Sequence, residues 1–332
     1  MIKQFLLAPE RKETLQKTSK RGISVLWSIY RFVTMFCIGM ILMLPLLYMV
    51  SVGFRDASDM TDPMVVWIPA NLTWDNLVYT FQEMDYPVAF FNSVRISLIA
   101  SLLSVLSCAL AGYGFSRFHF FGKNFFFGLV ILMLIVLPQN YLISLFVQYR
   151  EFDFFGIGSL IGLFGGSPLT VNLSGTELAL YLPAALGAGL RSGLYILIFT
   201  KFFTNIPAEL EDAAGIDGCG HYRAFFAVIL PNARTAILTV FLFSIVWYWN
   251  DYFFTSTFMQ DTITVSVQLT KLHAIMQQAL NPVHTSTTAL DPNELTVHLQ
   301  AGCLLAITPP TVMYLFLQKK FTEGLERTGI VG

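Results

Sequence analysis

Asn205-Ile-Pro-Ala-Glu-Leu-Glu-Asp-Ala-Ala-Gly-Ile-Asp-Gly218, followed by Cys219-Gly-His-Tyr-Arg-Ala-Phe-Phe-Ala-Val-Ile-Leu-Pro231, is the stretch on which the reading of this chain turns. Pro207 suits a helix start, and Glu209, Glu211 and Asp212 complement the positive end of a helix dipole. Ala213 and Ala214 leave a smooth, shallow face that can lie close against another protein. Gly218 and Gly220 permit the backbone turn that ends this short helix. Phe225, Val228 and Ile229 then recur at helical spacing until Pro231 stops the second helix. The unit reads as helix, tight turn, helix.

Long apolar runs flank it on both sides. A bilayer crossing needs roughly 20 mostly apolar residues. Phe32–Phe54 lies between Arg31 and Arg55 without a charge, Ile96–Ser116 lies between Arg95 and Arg117, and Asn124–Gln148 and Leu295–Gln318 are similar. Two runs are less clean: Leu178–Thr200, which contains Arg191, and Ala233–Phe253, which ends in Trp247-Tyr-Trp-Asn-Asp251. The composition agrees. The 332 residues are 55% hydrophobic and only 12% charged, with 31 Phe, against roughly 25% charged in soluble domains. The expected fold class is therefore an all-α polytopic membrane protein with about six transmembrane helices. A net charge of −1 gives no reason to expect nucleic acid as a partner.

Phe154–Thr176 is also uncharged but holds six glycines, Pro168 and Asn172. Each helix-interior glycine costs about 1 kcal/mol, so it reads as an external loop with a short interfacial segment. Lys and Arg set the orientation. Lys3, Arg11, Lys12, Lys17, Lys20 and Arg21 precede the first run; Arg117, Lys123, Lys201, Arg223 and Arg234, then Lys319, Lys320 and Arg327, fall on the same side. The other side is rich in Asp56, Asp59, Asp62, Asp75, Glu83 and Asp85. Both termini are thus expected in the cytoplasm. The resulting division is a cytoplasmic N-terminal segment 1–31, a first transmembrane helix 32–54, an external loop 55–90, a transmembrane domain 91–318 containing the cytoplasmic segment 204–231, and a cytoplasmic tail 319–332. The first apolar run is too long for a signal peptide's apolar region of about 7–15 residues, and no small-residue cleavage site follows. An uncleaved first helix is expected.

Asp212-Ala-Ala, three residues, then Gly218, with Asp217 before the glycine, resembles the EAA loop of ABC importer permeases, Asp212 standing for the Glu. The resemblance is strong from about residue 70 onward. It includes Asn92-Ser93, Ala111-Gly-Tyr-Gly-Phe-Ser-Arg-Phe118, Pro138-Gln139, Gly189-Leu-Arg-Ser192, Trp249-Asn-Asp-Tyr252 and a tail, Glu323–Gly332, like that of maltose-type sugar permeases. The loop from Thr255 to Glu294 is longer than usual for the family. The resemblance implies the type I ABC importer permease fold in a bacterial cell membrane, with a coupling helix that docks into a cleft on a nucleotide-binding subunit. It implies as partners a second homologous permease, two ABC ATPases and an external solute-binding protein, with carbohydrate, an oligosaccharide, as cargo. The chain itself is expected to bind no cofactor, ATP and Mg belonging to the ATPases. It shows no phosphate-binding glycine loop and no nucleophile elbow, so it is not expected to be an enzyme.

Glu209, Glu211, Asp212, Ala213, Ala214, Asp217 and Gly218 are the coupling residues this implies. Arg191, Trp249, Asn250, Asp251 and Tyr252 are candidates for the substrate path. Aromatic faces suit the C–H side of a pyranose, and the amide and carboxylate can bond hydroxyls. The alternative for Trp247, Trp249 and Tyr252 is the aromatic belt of a membrane interface. For Arg191, near the middle of its run, the alternative is a helix-helix pair with a partner subunit. The four scattered cysteines read as buried small apolar residues, and the five histidines show no ligand spacing. Two other classes stay open: a self-sufficient secondary transporter, which would show internal repeats and embedded ionisable groups, and an ABC permease for a non-sugar solute.

Overall fold

Apolar runs of this length satisfy their backbone polar groups internally only as helices. The computed structural model, which describes residues 9–62, 67–153, 156, 170–280 and 292–329, is helical almost throughout. Among those residues β pairing is limited to two isolated bridges, Arg55 with Leu72 and Phe152 with Val171. In chain order the helices are α1 Pro9–Gly53, α2 Asp75–Glu83, α3 Tyr86–Arg117, α4 Lys123–Ile135, α5 Leu142–Arg150, α6 Leu178–Ala185 and α7 Ser192–Thr204. There follow α8 Glu209–Ile216, α9 His221–Asn232, α10 Arg234–Trp249, α11 Phe253–Phe258, α12 Val265–Leu280 and α13 Pro292–Gly329.

By length and hydropathy three helices are able to cross a bilayer: Ser24–Gly53 of α1, α3, and Pro292–Lys319 of α13. Two bent pairs, α4 with Pro138–Arg150 and α9 with α10, raise this to five. The expected third run, Asn124–Gln148, is thus not one straight helix but turns through 97°. The cause is Pro138, which disfavours helical geometry in the residue before it; Val136 and Leu137 are extended, with ψ 117° and 133°. The expected fourth run, Leu178–Thr200, is broken as well. Leu186 caps α6, Gly187 takes φ +72°, and helix resumes only at Ser192. A left-handed residue just past the cap satisfies the last carbonyls of a helix, and a hydropathy window cannot detect it.

The core forms around α3. Its small buried residues Ser97, Ala100, Ser101, Ser104, Cys108 and Gly112 let neighbouring backbones approach, the way helices associate in lipid. A Cβ on Gly112 would stand 2.5 Å from that of Phe199, so α7 crosses in direct contact. Phe199, Phe203, Phe225 and Tyr195 are fully buried beside it. Helix α1 is the opposite case: Phe32 and Leu42 are both 70% exposed, and its packing partner is α13, where Gly53 at its end lies against Ala301 and Leu304. The cysteine expectation needs correction, since Cys108 alone is buried, Cys37 is exposed, and Cys219 and Cys303 are intermediate. Cys37 lies on the bare face of α1, where a small apolar side chain needs no cover in lipid.

Within the expected long loop Thr255–Glu294, the 16-residue helix α12 packs on α13 and α3; its residues 281–291 lie outside the described residues. So does most of the expected interfacial loop Phe154–Thr176, of which 156 and 170–176 are described.

Candidate functional site

The segment 205–232 is a helical hairpin whose turn is fixed by backbone chemistry. Asp217 caps α8 and Gly218 follows with φ +80°. Gly218 N donates to Gly215 O at 3.0 Å and Cys219 N to Ala214 O at 2.9 Å, the paired bonds of a Schellman motif. The carboxylates of α8 separate. Glu209, Asp212 and Asp217 are exposed with Ala213, while Glu211 and Ala214 turn inward. Glu211 Oε1 lies 2.6 Å from Arg117 Nε at the end of α3, and Tyr113 Oη donates to Glu211 Oε2 at 3.2 Å. Arg117 Nη2 also donates to Ile206 O at 2.6 Å. One guanidinium therefore holds both the chain entering α8 and its first turn. Sequence reasoning assigned all three first-turn acids to the helix dipole. Glu211 and Ala214, three residues apart, share a face, which was the available signal.

Two exposed apolar side chains escaped the sequence reading. Ile216 and Tyr222 are 88% and 82% exposed on either side of the Gly218 turn. With Glu209, Asp212 and Asp217 they form an outward surface of apolar knobs in an acidic rim, suited to an apolar cleft with basic edges.

A second feature lies at the break in the fourth run. A cavity of about 570 Å³ opens between the α4–α5 bend and the 186–191 break, and Arg191, Ser192, Tyr248 and Gly189 line it. The Arg191 guanidinium lies over the Trp247 ring, 4.2 Å from its centroid. Tyr248 Oη is 3.2 Å from Ser104 Oγ and accepts from Leu190 N at 3.3 Å. Gly189 is required there, because a Cβ would meet Tyr248 Oη at 2.5 Å.

The other expected path residues are not on that wall. Trp249 is buried, its Nε1 donating to Ala306 O at 3.1 Å and its ring edge-on to Phe90. The Asp251 carboxylate accepts from Thr255 N at 2.8 Å and Thr255 Oγ1 at 2.9 Å, which caps α11. Asn250 Nδ2 returns to Val246 O at 3.0 Å, and Tyr252 stacks edge-on with Phe253. Arg191 reaches the cavity, but with Trp247 and Tyr248 rather than with 249–252.

No family model matches the chain. Curated relatives do. The arabinooligosaccharides transport system permease protein AraQ of Halalkalibacterium halodurans is 27% identical over 89% of this chain and 93% of its own length. The polygalacturonan/rhamnogalacturonan transport system permease protein YtcP of Bacillus subtilis is 26% identical over 89% and 94%. The lactose transport system permease protein LacG of Rhizobium radiobacter is 27% identical over 76% and 78%. Among solved structures, a bacterial ABC transporter involved in the import of the acidic polysaccharide alginate superposes with a TM-score of 0.68 at 17% identity, over 89% of this chain and 96% of that one. The two share a fold, and the curated relatives are carbohydrate permeases.

Proposed function

We infer that this chain belongs with the ABC importer permeases that serve carbohydrate uptake and is the membrane-spanning subunit of such an importer. The observation that carries this reading is the outward hairpin 205–232. Its turn closes as a Schellman motif and Glu211 is pinned to α3, which leaves Glu209, Asp212, Ala213, Ile216, Asp217 and Tyr222 free to meet another protein. The protein is an integral membrane protein with a non-catalytic transport role.

The finer proposal is as follows. The chain crosses the bacterial cell membrane six times with both termini inside, counting α6 and α7 as one broken crossing. It pairs with a second homologous permease. Two ABC ATPases, which carry ATP and Mg, dock on the hairpins, and an external solute-binding protein delivers the saccharide. Closure of the ATPases moves α8, and the Arg117–Glu211 contact passes that movement to α3. A secondary transporter has less support, since its coupling would need several ionisable groups inside the membrane, and Arg191 is the charged member of the cavity wall among the described residues.

The test is purification of the affinity-tagged chain from its native membrane, with labelling of engineered cysteines in cells. The expected result is an ATPase and a second permease in the eluate. A reagent that cannot cross membranes should label Asp62→Cys and Asp261→Cys but spare Glu209→Cys. A chain that transports alone when reconstituted, or labelling at Glu209→Cys from outside, contradicts the reading.

A further inference from the structure

The break at 186–191 is more than a kink. Arg191 has φ +59°, a left-handed conformation that is strained for a long side chain and persists where the surroundings enforce it. It is the charged member of the cavity wall among the described residues. No carboxylate among the described residues pairs with it; the ion pairs Arg95–Glu177 and Arg117–Glu211 lie elsewhere. The ring of Trp247 is its contact. An unpaired cation inside a membrane protein is expensive, and such residues face a pathway or a counter-charge.

One neighbouring group has the same polarity. The 13-residue helix α7 begins at Ser192, so its positive end opens on the wall through Ser192 and Gly193. Gly193 keeps that end close-packed, a Cβ there meeting Val130 O at 2.8 Å. Ser192 itself is 1% exposed and holds α7 against α3, its carbonyl accepting from Cys108 Sγ at 3.8 Å. The guanidinium and the helix N-terminus together supply donors and positive potential on this wall. A neutral sugar needs both donors and acceptors around its hydroxyls; a carboxylate needs only donors. Most of the rest of the wall is apolar or aromatic, including Tyr141 and Tyr149, with Gln148 as a further polar side chain, and it suits the C–H faces of a pyranose ring.

We propose that this cavity receives the carboxylate-bearing residue of an acidic saccharide. Arg191 swings from the Trp247 ring to clasp the carboxylate through its two-pronged guanidinium, at the N-terminus of α7. The proposal rests on the carbohydrate-permease reading and names the substrate class of that path.

The experiment uses the whole importer in lipid nanodiscs, titrated with trimers of galacturonic and mannuronic acid and with neutral maltotriose. Wild type should bind a uronate trimer at least tenfold more tightly than maltotriose. Arg191→Met should lose at least thirtyfold in uronate affinity and Arg191→Lys about tenfold, with maltotriose unchanged in both. Equal binding of acidic and neutral trimers, binding of neither, or unaltered uronate affinity in these variants overturns the proposal. So does failure of Arg191→Met to assemble while Arg191→Lys binds as wild type, since Arg191 is then structural. Native mass spectrometry supplies a further arm: phosphatidylglycerol retained by wild type, lost from Arg191→Met and accompanied by no uronate binding assigns the cation to a lipid phosphate and overturns it too. Basal ATPase activity separates the two levels. A complex that hydrolyses ATP but ignores uronates contradicts the acidic-saccharide site alone, whereas absence of any ATPase in the complex contradicts the permease reading.

Discussion

The hairpin at 205–232 and the break at 186–191 are made by the same local device and do opposite things with charge. Each ends a short helix with a left-handed glycine, Gly218 at φ +80° and Gly187 at φ +72°. In the hairpin, three exposed carboxylates surround two exposed apolar side chains, and the fourth, Glu211, is tied inward by Arg117. At the break, one cation stands in an apolar wall without a carboxylate. The first arrangement suits a surface that meets a protein and transmits force; the second suits a pocket that waits for an anion. A helix terminus acquires its role from the groups that converge on it.

The largest expected effect lies in the hairpin turn. Gly218→Asp adds a second carboxylate beside Asp217 and a side chain at positive φ, at a backbone cost of roughly 1–2 kcal/mol. No atom lies within 4 Å of the new Cβ, so the strain is conformational. Uptake should fall to background with the permease still inserted, while Gly218→Asn, of the same size and as tolerant of that φ but uncharged, should keep most activity. Equal loss in both variants would mean that any side chain at 218, and not the added carboxylate, stops the coupling.

The inward anchor comes next. The side chains of Arg117 and Glu211 are 14% and 19% exposed, so removing either leaves a largely buried charge. Arg117→Met and Glu211→Gln should each lower uptake about tenfold while ATPase subunits still co-purify. In a double-mutant cycle read by thermal unfolding, the pair should couple by about 1–3 kcal/mol. Additive losses would remove Arg117–Glu211 as the link between α8 and α3.

Trp249 should show the smallest change. Its ring packs on Phe90 and its N–H reaches Ala306 O, so Trp249→Phe should cost about 1 kcal/mol in stability. Saccharide affinity, read by titration of the importer, should not move. A loss of affinity would extend the path from the break to the end of α10.

The sequence was legible where water and lipid impose different rules. The apolar runs identified the membrane class, and the hairpin declared itself because charge, proline and glycine sit within one short stretch. The outward glycine turn at 218 was readable from its spacing alone. The breaks inside the third and fourth runs were not, because a window average counts Pro138, Gly187 and Gly189 as neutral members of an apolar run. Arg191 stood out by charge, but its ring partner Trp247 is 56 residues away in sequence, and only packing brings the two together. Tyr248 and Ser192 were missed because nothing local marks a hydroxyl that will be buried. Trp249–Tyr252 looked like a sugar platform because aromatics, an amide and a carboxylate stood in series; in three dimensions Asp251 caps α11 and Trp249 points into the core.

The most direct test of the central claim is site-specific crosslinking from the hairpin. In the intact importer, built on a chain whose cysteines are replaced by Ala, Ile216→Cys, Tyr222→Cys and Trp67→Cys carry a thiol-linked photo-crosslinker. The first two are highly exposed beside the Gly218 turn, and Trp67 lies in the loop after α1 that the charge asymmetry assigns to the opposite side. Adducts to the ATPase subunit from 216 and 222, lost with Gly218→Asp, and none from 67 are the expected result. ATPase adducts from 67, or none from either hairpin position in a complex that still hydrolyses ATP, would contradict the assignment of 205–232 as the surface through which this permease is driven.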